Sequence, residues 1–410
     1  MTPLSKSQSI HTHGDLTKLG SQIFAAALAR FVLNTARRFA YPFAPALSRG
    51  LGVPMTAITS LIAVNQVTAL IGVIFGPLTD RWGYRRMMLA GMGLMVLGMW
   101  VGGFFATYLA VFLAMLLAGL GKSVFDPAIQ AYVGKQVPYQ RRARAVGMVE
   151  ISWAGSSLIG IPLVGIMMQS AGWASAFWII GGLGILCLIG IYFILPGDNG
   201  YSASAVSIVT MFHSWRSLVR NRPALCAIGF SFFISLANDS LFVVFGAWME
   251  SAFGLGLASL GFATAIIGVA ELLGEGLTVM LSDRVGLRRA AIIGATLTTF
   301  TYLLLILMGQ TLTMALTALF MLFLSFEFTV VTVLSLCTEL HPSERATMMA
   351  GLYAVGALGR VIGALSGGIL WTFFGWNTVC LVSAAINAIG VILLAWGLRN
   401  WKRTEDPSSS

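Results

Sequence analysis

Charged side chains interrupt the long apolar stretches of this sequence, and they are the residues that could carry chemistry. An ionisable group at bilayer depth costs at least about 2.5–3.5 kcal/mol, so it normally faces a partner or a water-filled cavity. Such groups can bind a charged molecule, exchange protons, or hold helices together. The candidates for a substrate and proton cavity are Asn34, Arg37, Arg38, Lys122, Asp126, Asp239, Glu271, Glu327 and Arg360.

Two sets of these residues recur at helical spacing and therefore share a helix face. The first set is Arg30, Asn34, Arg37 or Arg38, and Tyr41. The second set is Lys122, Asp126 and Gln130 at i, i+4 and i+8. A structural alternative is that Lys122 and Asp126 form an intrahelical ion pair of little energetic weight.

The two halves of the chain carry opposite charge within these apolar stretches. The first half has four bases against two acids, and the second half has one base against four acids. We therefore expect the two sets to face each other. Because Arg37 and Asp239 each lie about 25 Å along helices that begin on the same side, Arg37 or Arg38 is predicted to approach Asp239 when the outer side is shut.

Three acids of the second half, Asp239, Glu271 and Glu327, outnumber the single base Arg360 near them. Burial disfavours a charged carboxylate, so proton uptake by at least one of the three is predicted. The sequence does not select which one. The alternative is that they form structural pairs that lock helices together.

A short charged joint separates two apolar stretches at residues 76–86. Its notable residues are Gly76, Asp80, Arg81, Gly83, Arg85 and Arg86. A carboxylate at a helix C-terminus meets the negative end of the helix dipole, so Asp80 needs arginines or helix N–H groups opposite it. The joint returns 203 residues later with Asp283, Arg284 and Arg288. Together with Glu150, these residues are predicted to gate the cytoplasmic side. For Asp126 and Glu150, a structural alternative is that one of them only pairs with Arg81 and Arg85 at this gate.

The composition places these residues in a polytopic, all-α membrane protein. Of 410 residues, 57% are hydrophobic and only 10% are charged, against about 25% charged in soluble proteins. Twelve stretches have roughly the 20 residues that a membrane-crossing helix needs. They are residues 22–46, 57–79, 87–106, 109–133, 146–168, 175–195, 224–248, 258–281, 289–308, 312–338, 346–371 and 376–397.

Lysine and arginine are distributed unevenly across the predicted loops. We count 19 in the termini and loops on one side, one (Arg49) on the other side and five within apolar stretches. By the positive-inside rule, both termini are predicted to be cytoplasmic. This distribution accounts for the net charge of +10, so the charge is no evidence for a nucleic-acid partner. We expect the protein to be a monomer in the plasma (inner) membrane.

The sequence repeats itself at a spacing of 203 or 204 residues. Gly91 corresponds to Gly294, and Gly172-Trp173 corresponds to Gly375-Trp376. Twelve transmembrane helices are therefore predicted as two six-helix bundles related by pseudo-twofold symmetry. The predicted organisation is a cytoplasmic tail (1–21), a first bundle (22–195), a linker with an amphipathic segment (196–223), a second bundle (224–397) and a C-terminal tail (398–410).

The joint at 76–86 resembles the loop between the second and third helices of the major facilitator superfamily, whose pattern is G-x-x-x-D-R-x-G-R-R. Gly160 and Pro162 also resemble the glycine-proline motif of its proton-coupled exporters, the drug:proton antiporter-like branch. The resemblance implies the major facilitator fold and secondary active transport of a small organic or amphipathic molecule by alternating access, with proton-coupled export. Open alternatives are an anionic substrate, a lipid or lysolipid, and, in another class, a transport-dead receptor or accessory protein.

Other classes of function find little support in the sequence. Gly119–Ser123 resembles the end of a phosphate-binding loop, but position 116 is leucine where the first glycine is required. No hydrolase or zinc-protease motif is present, and the four cysteines lie in apolar stretches. The sequence therefore predicts no enzyme, catalytic residue, cofactor, metal or nucleic-acid partner; the predicted partners are a small molecule, protons and the lipid bilayer.

Overall fold

The computed structural model describes residues 13–137, 139–197, 218, 220–340 and 345–401. Residues 1–12, most of the predicted linker 196–223 and residues 402–410 lie outside this part of the chain. The side chains of Asp80 and Asp283 and the surroundings of Gly76 lie outside it as well.

Fourteen α-helices and one π-helical turn make up the described residues, which contain no strand. The helices of the first half are α1 (His13–Arg38), α2 (Ala44–Leu51), α3 (Met55–Trp82), α4 (Tyr84–Phe105), α5 (Tyr108–Gln136), α6 (Tyr139–Gly155), the π-turn (Ser156–Gly160), α7 (Ile161–Ala171) and α8 (Ser175–Ile194). Those of the second half are α9 (Arg222–Phe242), α10 (Phe245–Phe253), α11 (Leu257–Val285), α12 (Leu287–Met308), α13 (Leu312–Leu340) and α14 (Arg345–Gly397).

These helices provide the twelve membrane crossings that the sequence predicts. Within the described residues, ten helical segments are long and apolar enough to cross a bilayer. The last of them, in α14, is interrupted at Gly375, where φ is 76°, and its 51 residues extend about 77 Å, enough for two crossings. The remaining crossing is α1, whose 26 residues extend about 39 Å, which is enough to cross a bilayer. Its three arginines make it less apolar than the other crossings.

The first helix of each half is broken, which corrects the predicted continuous spans 22–46 and 224–248. Between α1 and α2, Pro42 supplies no backbone N–H, and the Tyr41 N–H instead donates to the Arg38 carbonyl at 3.1 Å. Between α9 and α10, the Val244 N–H donates to the Leu241 carbonyl at 3.2 Å. Hydropathy alone does not detect either break, because the residues on both sides are apolar.

The turns between helices repeat in the two halves. Gly83 (φ 95°) ends α3, and Gly286 (φ 88°), 203 residues later, ends α11. This backbone conformation strains any residue with a Cβ, so glycine is required at both turns. Gly172 (φ 83°) and Gly375 (φ 76°) form a second pair at the same spacing. The two six-helix bundles thus use equivalent turns at equivalent positions.

Helices α4 and α5 approach each other through two glycines. A Cβ on Gly91 would lie 2.5 Å from the carbonyl oxygen of Gly121, and a Cβ on Gly121 would overlap the carbonyl oxygen of Gly91. Small residues at such positions let transmembrane helices pack backbone to backbone. Gly294 occupies the equivalent position of the second half, 2.5 Å from the Thr329 hydroxyl by the same construction.

We expect Gly91→Ala to destabilise the first bundle by about 1–3 kcal/mol, because the added methyl meets a backbone atom that cannot rotate away. Thermal unfolding of the purified protein measures this effect. Gly93→Ala is the matched control, since no atom lies within 4 Å of a Cβ built there. Equal unfolding temperatures for the two variants would contradict the prediction, because α4 and α5 would then accommodate the added methyl group without loss of stability.

Candidate substrate and proton site

The two halves meet closely at one end of the molecule, here called the closed end, which carries α2 and α10. A Cβ on Gly261 of α11 would lie 2.9 Å from Pro162 Cα, and one on Gly165 of α7 would lie 2.6 Å from the Leu257 carbonyl oxygen. An ion pair of 2.6 Å joins Arg49 and Glu250 across the same end. The opposite end, which carries Gly83 and Gly286, is called the arginine-rich end.

A buried ion pair joins the halves below the closed end. The guanidinium of Arg38 donates to both carboxylate oxygens of Glu271, at 2.6 and 3.2 Å. The Ser157 hydroxyl in the π-turn donates to the same carboxylate at 3.1 Å, and the Arg38 guanidinium lies 4.3 Å from the Trp153 ring centroid. Only 4% and 3% of the Arg38 and Glu271 side chains are exposed. This bidentate geometry is the strongest form of arginine–carboxylate pairing.

A second connection crosses between the halves through neutral side chains. The Tyr41 hydroxyl donates to Asp239 at 2.8 Å and accepts from the Gln66 amide at 2.5 Å. Arg37 in turn donates to the Gln66 oxygen and to the Asn65 oxygen at 2.9 Å. A continuous hydrogen-bonded chain therefore runs from Arg37 to Asp239.

The predicted approach of Arg37 or Arg38 to Asp239 is not a direct ion pair, although both arginines lie within electrostatic range of that carboxylate. Tyr41 takes the position next to Asp239, while Arg38 pairs with Glu271. Successive residues of a helix point about 100° apart. Arg37 and Arg38 therefore contact different helices, which hydropathy could not decide.

A third group of charges lies within the first half. Asp126 accepts from Lys122 at 2.7 Å and from Arg30 at 3.1 Å, so the possible intrahelical pair Lys122–Asp126 is formed. Lys122 also donates to the Asn34 amide oxygen at 2.7 Å. Glu150 pairs with Arg30 at 3.0 Å. This group, unlike the Arg38–Glu271 pair, holds helices of one bundle together.

Glu150, which the sequence assigns to the cytoplasmic gate, pairs with Arg30 of its own half. Its neighbour Gln130 donates to it at 2.9 Å. Arg85 instead donates to the Tyr192 carbonyl of its own half. The side chains of Arg81, Arg86 and Arg284 are exposed, and that of Arg288 is half-buried.

Glu327, Asn238 and Arg360 are among the buried or half-buried polar side chains with unpaired atoms in the described part of the chain. Glu327 of α13 is 9% exposed and makes no hydrogen bond or ion pair there. It packs against Gly274 of α11, where a Cβ would lie 2.9 Å from Glu327 Cβ. Asn238, 7% exposed, and half-buried Arg360 leave their Oδ1 and Nε atoms unpaired. Unpaired buried polar atoms are rare and often mark a ligand or water site.

Several contact residues did not emerge from the sequence as candidates. Asn65, Gln66 and Ser157 are short polar residues in apolar spans, which is a weak signal because such residues often bond only to their own helix. The structure adds them because each bonds to Arg37 or Glu271. Among the described residues, no three His, Cys, Asp or Glu side chains are grouped as metal ligands.

A family comparison decides how these two bundles are classified. The family model described as Major Facilitator Superfamily matches the chain twice, at residues 26–238 and 228–410. The chain belongs to the Major Facilitator Superfamily. Among relatives in this superfamily, the MFS-type transporter YwfA of Bacillus subtilis is 23% identical over 388 residues, covering 93% of this chain and 92% of YwfA. An MFS-type efflux pump of Mycolicibacterium smegmatis is 25% identical over 226 residues, covering 54% of this chain and 52% of the pump.

Solved structures of this superfamily share the same fold. The nucleoside transporter NupG superposes with a TM-score of 0.79 at 13% identity, covering 93% of this chain and 99% of NupG. A peptide transporter, POT, in complex with alafosfalin superposes with a TM-score of 0.76 at 15% identity, covering 93% of this chain and 94% of POT. At these identities, the similarity establishes the major facilitator fold.

Proposed function

We propose that this superfamily member is a proton-coupled secondary active transporter that exports a small organic molecule by alternating access. The observation that carries the proposal is the buried Arg38–Glu271 ion pair across the two halves, with the unpaired carboxyl group of Glu327 beside the same helix. Secondary transporters of this fold rock two bundles around a central site. An ion pair between the bundles must then break and re-form in each cycle.

The closed end contains the contacts that such a cycle would open. They comprise the Arg49–Glu250 ion pair, the Tyr41–Asp239 hydrogen bond and the close approach of α7 to α11. Since most loop arginines and lysines lie at the other end, we assign the arginine-rich end to the cytoplasm. In this orientation the conformation is closed to the outside. The match to an efflux pump supports export as the direction.

Glu327 is the residue we assign to the proton. It lies within electrostatic range of Glu271, Glu275 and Arg38. When Glu327 is charged, it repels Glu271 and competes for Arg38; when it is neutral, it leaves the Arg38–Glu271 pair intact. Proton binding at Glu327 would therefore favour closure between the bundles, and proton release would favour opening. This links the proton to the conformational change.

We expect Glu327→Gln to reduce proton movement driven by a transported compound by roughly tenfold or more, because glutamine cannot exchange a proton. Proteoliposomes with a trapped pH-sensitive dye measure this movement after addition of cationic, neutral, anionic and lipid-like compounds. Uptake of the same compounds is followed with and without an imposed pH gradient.

Glu339→Gln is the matched control, since it makes the same chemical change on the same helix near its end. It should keep proton movement coupled to transport. If uptake of every compound ignored the gradient, or if Glu327→Gln remained fully coupled, the assignment of the proton to Glu327 would be rejected.

A further inference from the structure

Two arginines on opposite halves are not compensated by an ion pair. Arg37 of α1 donates only to the neutral amide oxygens of Asn65 and Gln66. Arg360 of α14 forms no hydrogen bond or ion pair with any described residue, and its Nε atom is buried without an acceptor. The other three cations of the central region, Arg30, Arg38 and Lys122, each pair with a carboxylate.

Arg37 and Arg360 both interact electrostatically with Asp239, between the two halves. Arg360 lies within electrostatic range of Arg37 and of Asp239. The geometry agrees, because a Cβ on Gly363, one helical turn from Arg360, would lie 3.0 Å from Asp239 Cβ. Asp239 is also connected to Arg37 through Tyr41 and Gln66. Both guanidinium groups thus lie within electrostatic range of a single carboxylate.

The charges in this region leave one positive charge in excess. Arg37 also lies within electrostatic range of Asp126. That carboxylate already forms ion pairs with Lys122 and Arg30. Asp239 is the remaining acid for the two arginines, so its one negative charge faces two positive charges. An uncompensated guanidinium in a low-dielectric site is unfavourable, and an anion placed between the two would relieve this cost.

A neutral hydrogen-bonding group lies next to Asp239. Asn238 is 7% exposed and its Oδ1 atom has no donor, while no described residue accepts from its amide nitrogen. A buried amide without partners is uncommon in a folded protein. It can offer a donor and an acceptor to the polar part of a ligand whose charge the arginines hold.

We propose that the region between the two halves binds a small organic anion through one carboxylate group held by Arg37 and Arg360. The planar guanidinium donates two parallel hydrogen bonds that match a carboxylate. The excess of one positive charge matches a monoanion better than a doubly charged phosphate. This inference rests on the proposed transport function and specifies its substrate class.

Thermal unfolding of the purified full-length protein in detergent, without any gradient, tests this inference. The probes are pairs that differ in charge: benzoate with benzamide, gluconate with glucose, and glycerol phosphate with glycerol. Lysophosphatidylglycerol and lysophosphatidylcholine test a lipid source of the anion. We expect at least one carboxylate to raise the unfolding temperature by roughly 2–4 °C or more, and its neutral partner to have no such effect.

Arginine variants then locate the effect. Arg37→Gln and Arg360→Gln should each raise the concentration of carboxylate needed for the shift by about tenfold or more, as expected for loss of a charged hydrogen bond. Arg399→Gln, an exposed arginine beyond the membrane-crossing part of α14, should leave it unchanged. Arg360→Lys keeps the charge and should retain part of the shift, which guards against a glutamine variant that folds poorly.

The inference is overturned if no carboxylate stabilises the protein more than its neutral partner, if only phosphates or lysolipids do so, or if both glutamine variants keep the full shift. Glu327→Gln should still bind the carboxylate, because the proton-carrying residue is separate from the two arginines. A failure of carboxylate binding with intact proton coupling would leave the transport proposal standing. Loss of proton coupling with intact carboxylate binding would reject the proposed coupling and leave the carboxylate site standing.

Discussion

Glu271→Gln is expected to abolish transport and to lower the unfolding temperature by roughly 5–10 °C. Glutamine leaves the Arg38 guanidinium buried without its carboxylate, and breaking one partner of a buried ion pair costs about 3–5 kcal/mol. The Ser157 hydroxyl, which donates to Glu271 at 3.1 Å, cannot replace the lost charge. Uptake into proteoliposomes and thermal unfolding of the purified variant measure the two effects.

The double variant Arg38→Gln with Glu271→Gln distinguishes the effect of an unpaired buried charge from the effect of the changed side-chain shapes. It removes both charges, so we expect it to recover much of the stability but none of the transport. Glu250→Gln is the control at an exposed pair between the same halves, because Arg49 is 62% exposed. An exposed pair contributes at most about 1 kcal/mol. Equal losses for Glu250→Gln and Glu271→Gln would contradict a special role of the buried pair.

The sequence was sufficient for the fold because two long-range signals agree. Apolar stretches of membrane-crossing length set the number of helices, and the joint around Gly83 returns at Gly286 with the same backbone conformation. The breaks before α2 and α10 were not predicted, since a proline such as Pro42 is common in transmembrane helices and does not always interrupt them. Local backbone geometry decides that case.

The sequence was enough to predict which residues belong to the candidate site, but not which of them form pairs. Arg38, Asp239 and Glu271 were all identified from their charge in apolar surroundings, yet their partners depend on which helix each side chain faces. A rotation of one residue around α1 separates the amide partners of Arg37 from the carboxylate partner of Arg38. Tyr41, which hydropathy treats as an ordinary aromatic residue, occupies the position expected for an arginine.

The pairing has a consequence for how the two halves can move. The buried charges between the halves have a matched partner in this conformation only at Arg38 and Glu271 among the described residues. Asp239 is held by a neutral hydroxyl, and Glu327 by nothing in the described part of the chain. Weakly held acids next to one strong ion pair allow a change of charge at one position to shift the balance between two conformations. Loss of either member of the Arg38–Glu271 pair would leave the other charge buried without a partner in this conformation.

We expect Gly246→Ala to reduce transport by roughly tenfold to a hundredfold by preventing closure of the closed end. A Cβ at this position of α10 would overlap the carbonyl oxygen of Pro42 and lie 2.7 Å from its carbonyl carbon. Both are backbone atoms of the other half, so the clash is relieved only if the halves separate. An overpacking cost of about 1–3 kcal/mol shifts a two-state population by about that factor.

Because the clash lies between the bundles rather than inside one, the variant should unfold at nearly the same temperature as the unmodified protein while its closed end stays open. Distances between spin labels on α2 and α10 should increase in Gly246→Ala. Gly276→Ala is the matched control in the same half, since no atom lies within 4 Å of a Cβ there. Normal transport by Gly246→Ala would mean that contact between Pro42 and Gly246 is not needed in the cycle, and the closed end would then have to seal through Arg49, Glu250 and the α7–α11 contact alone.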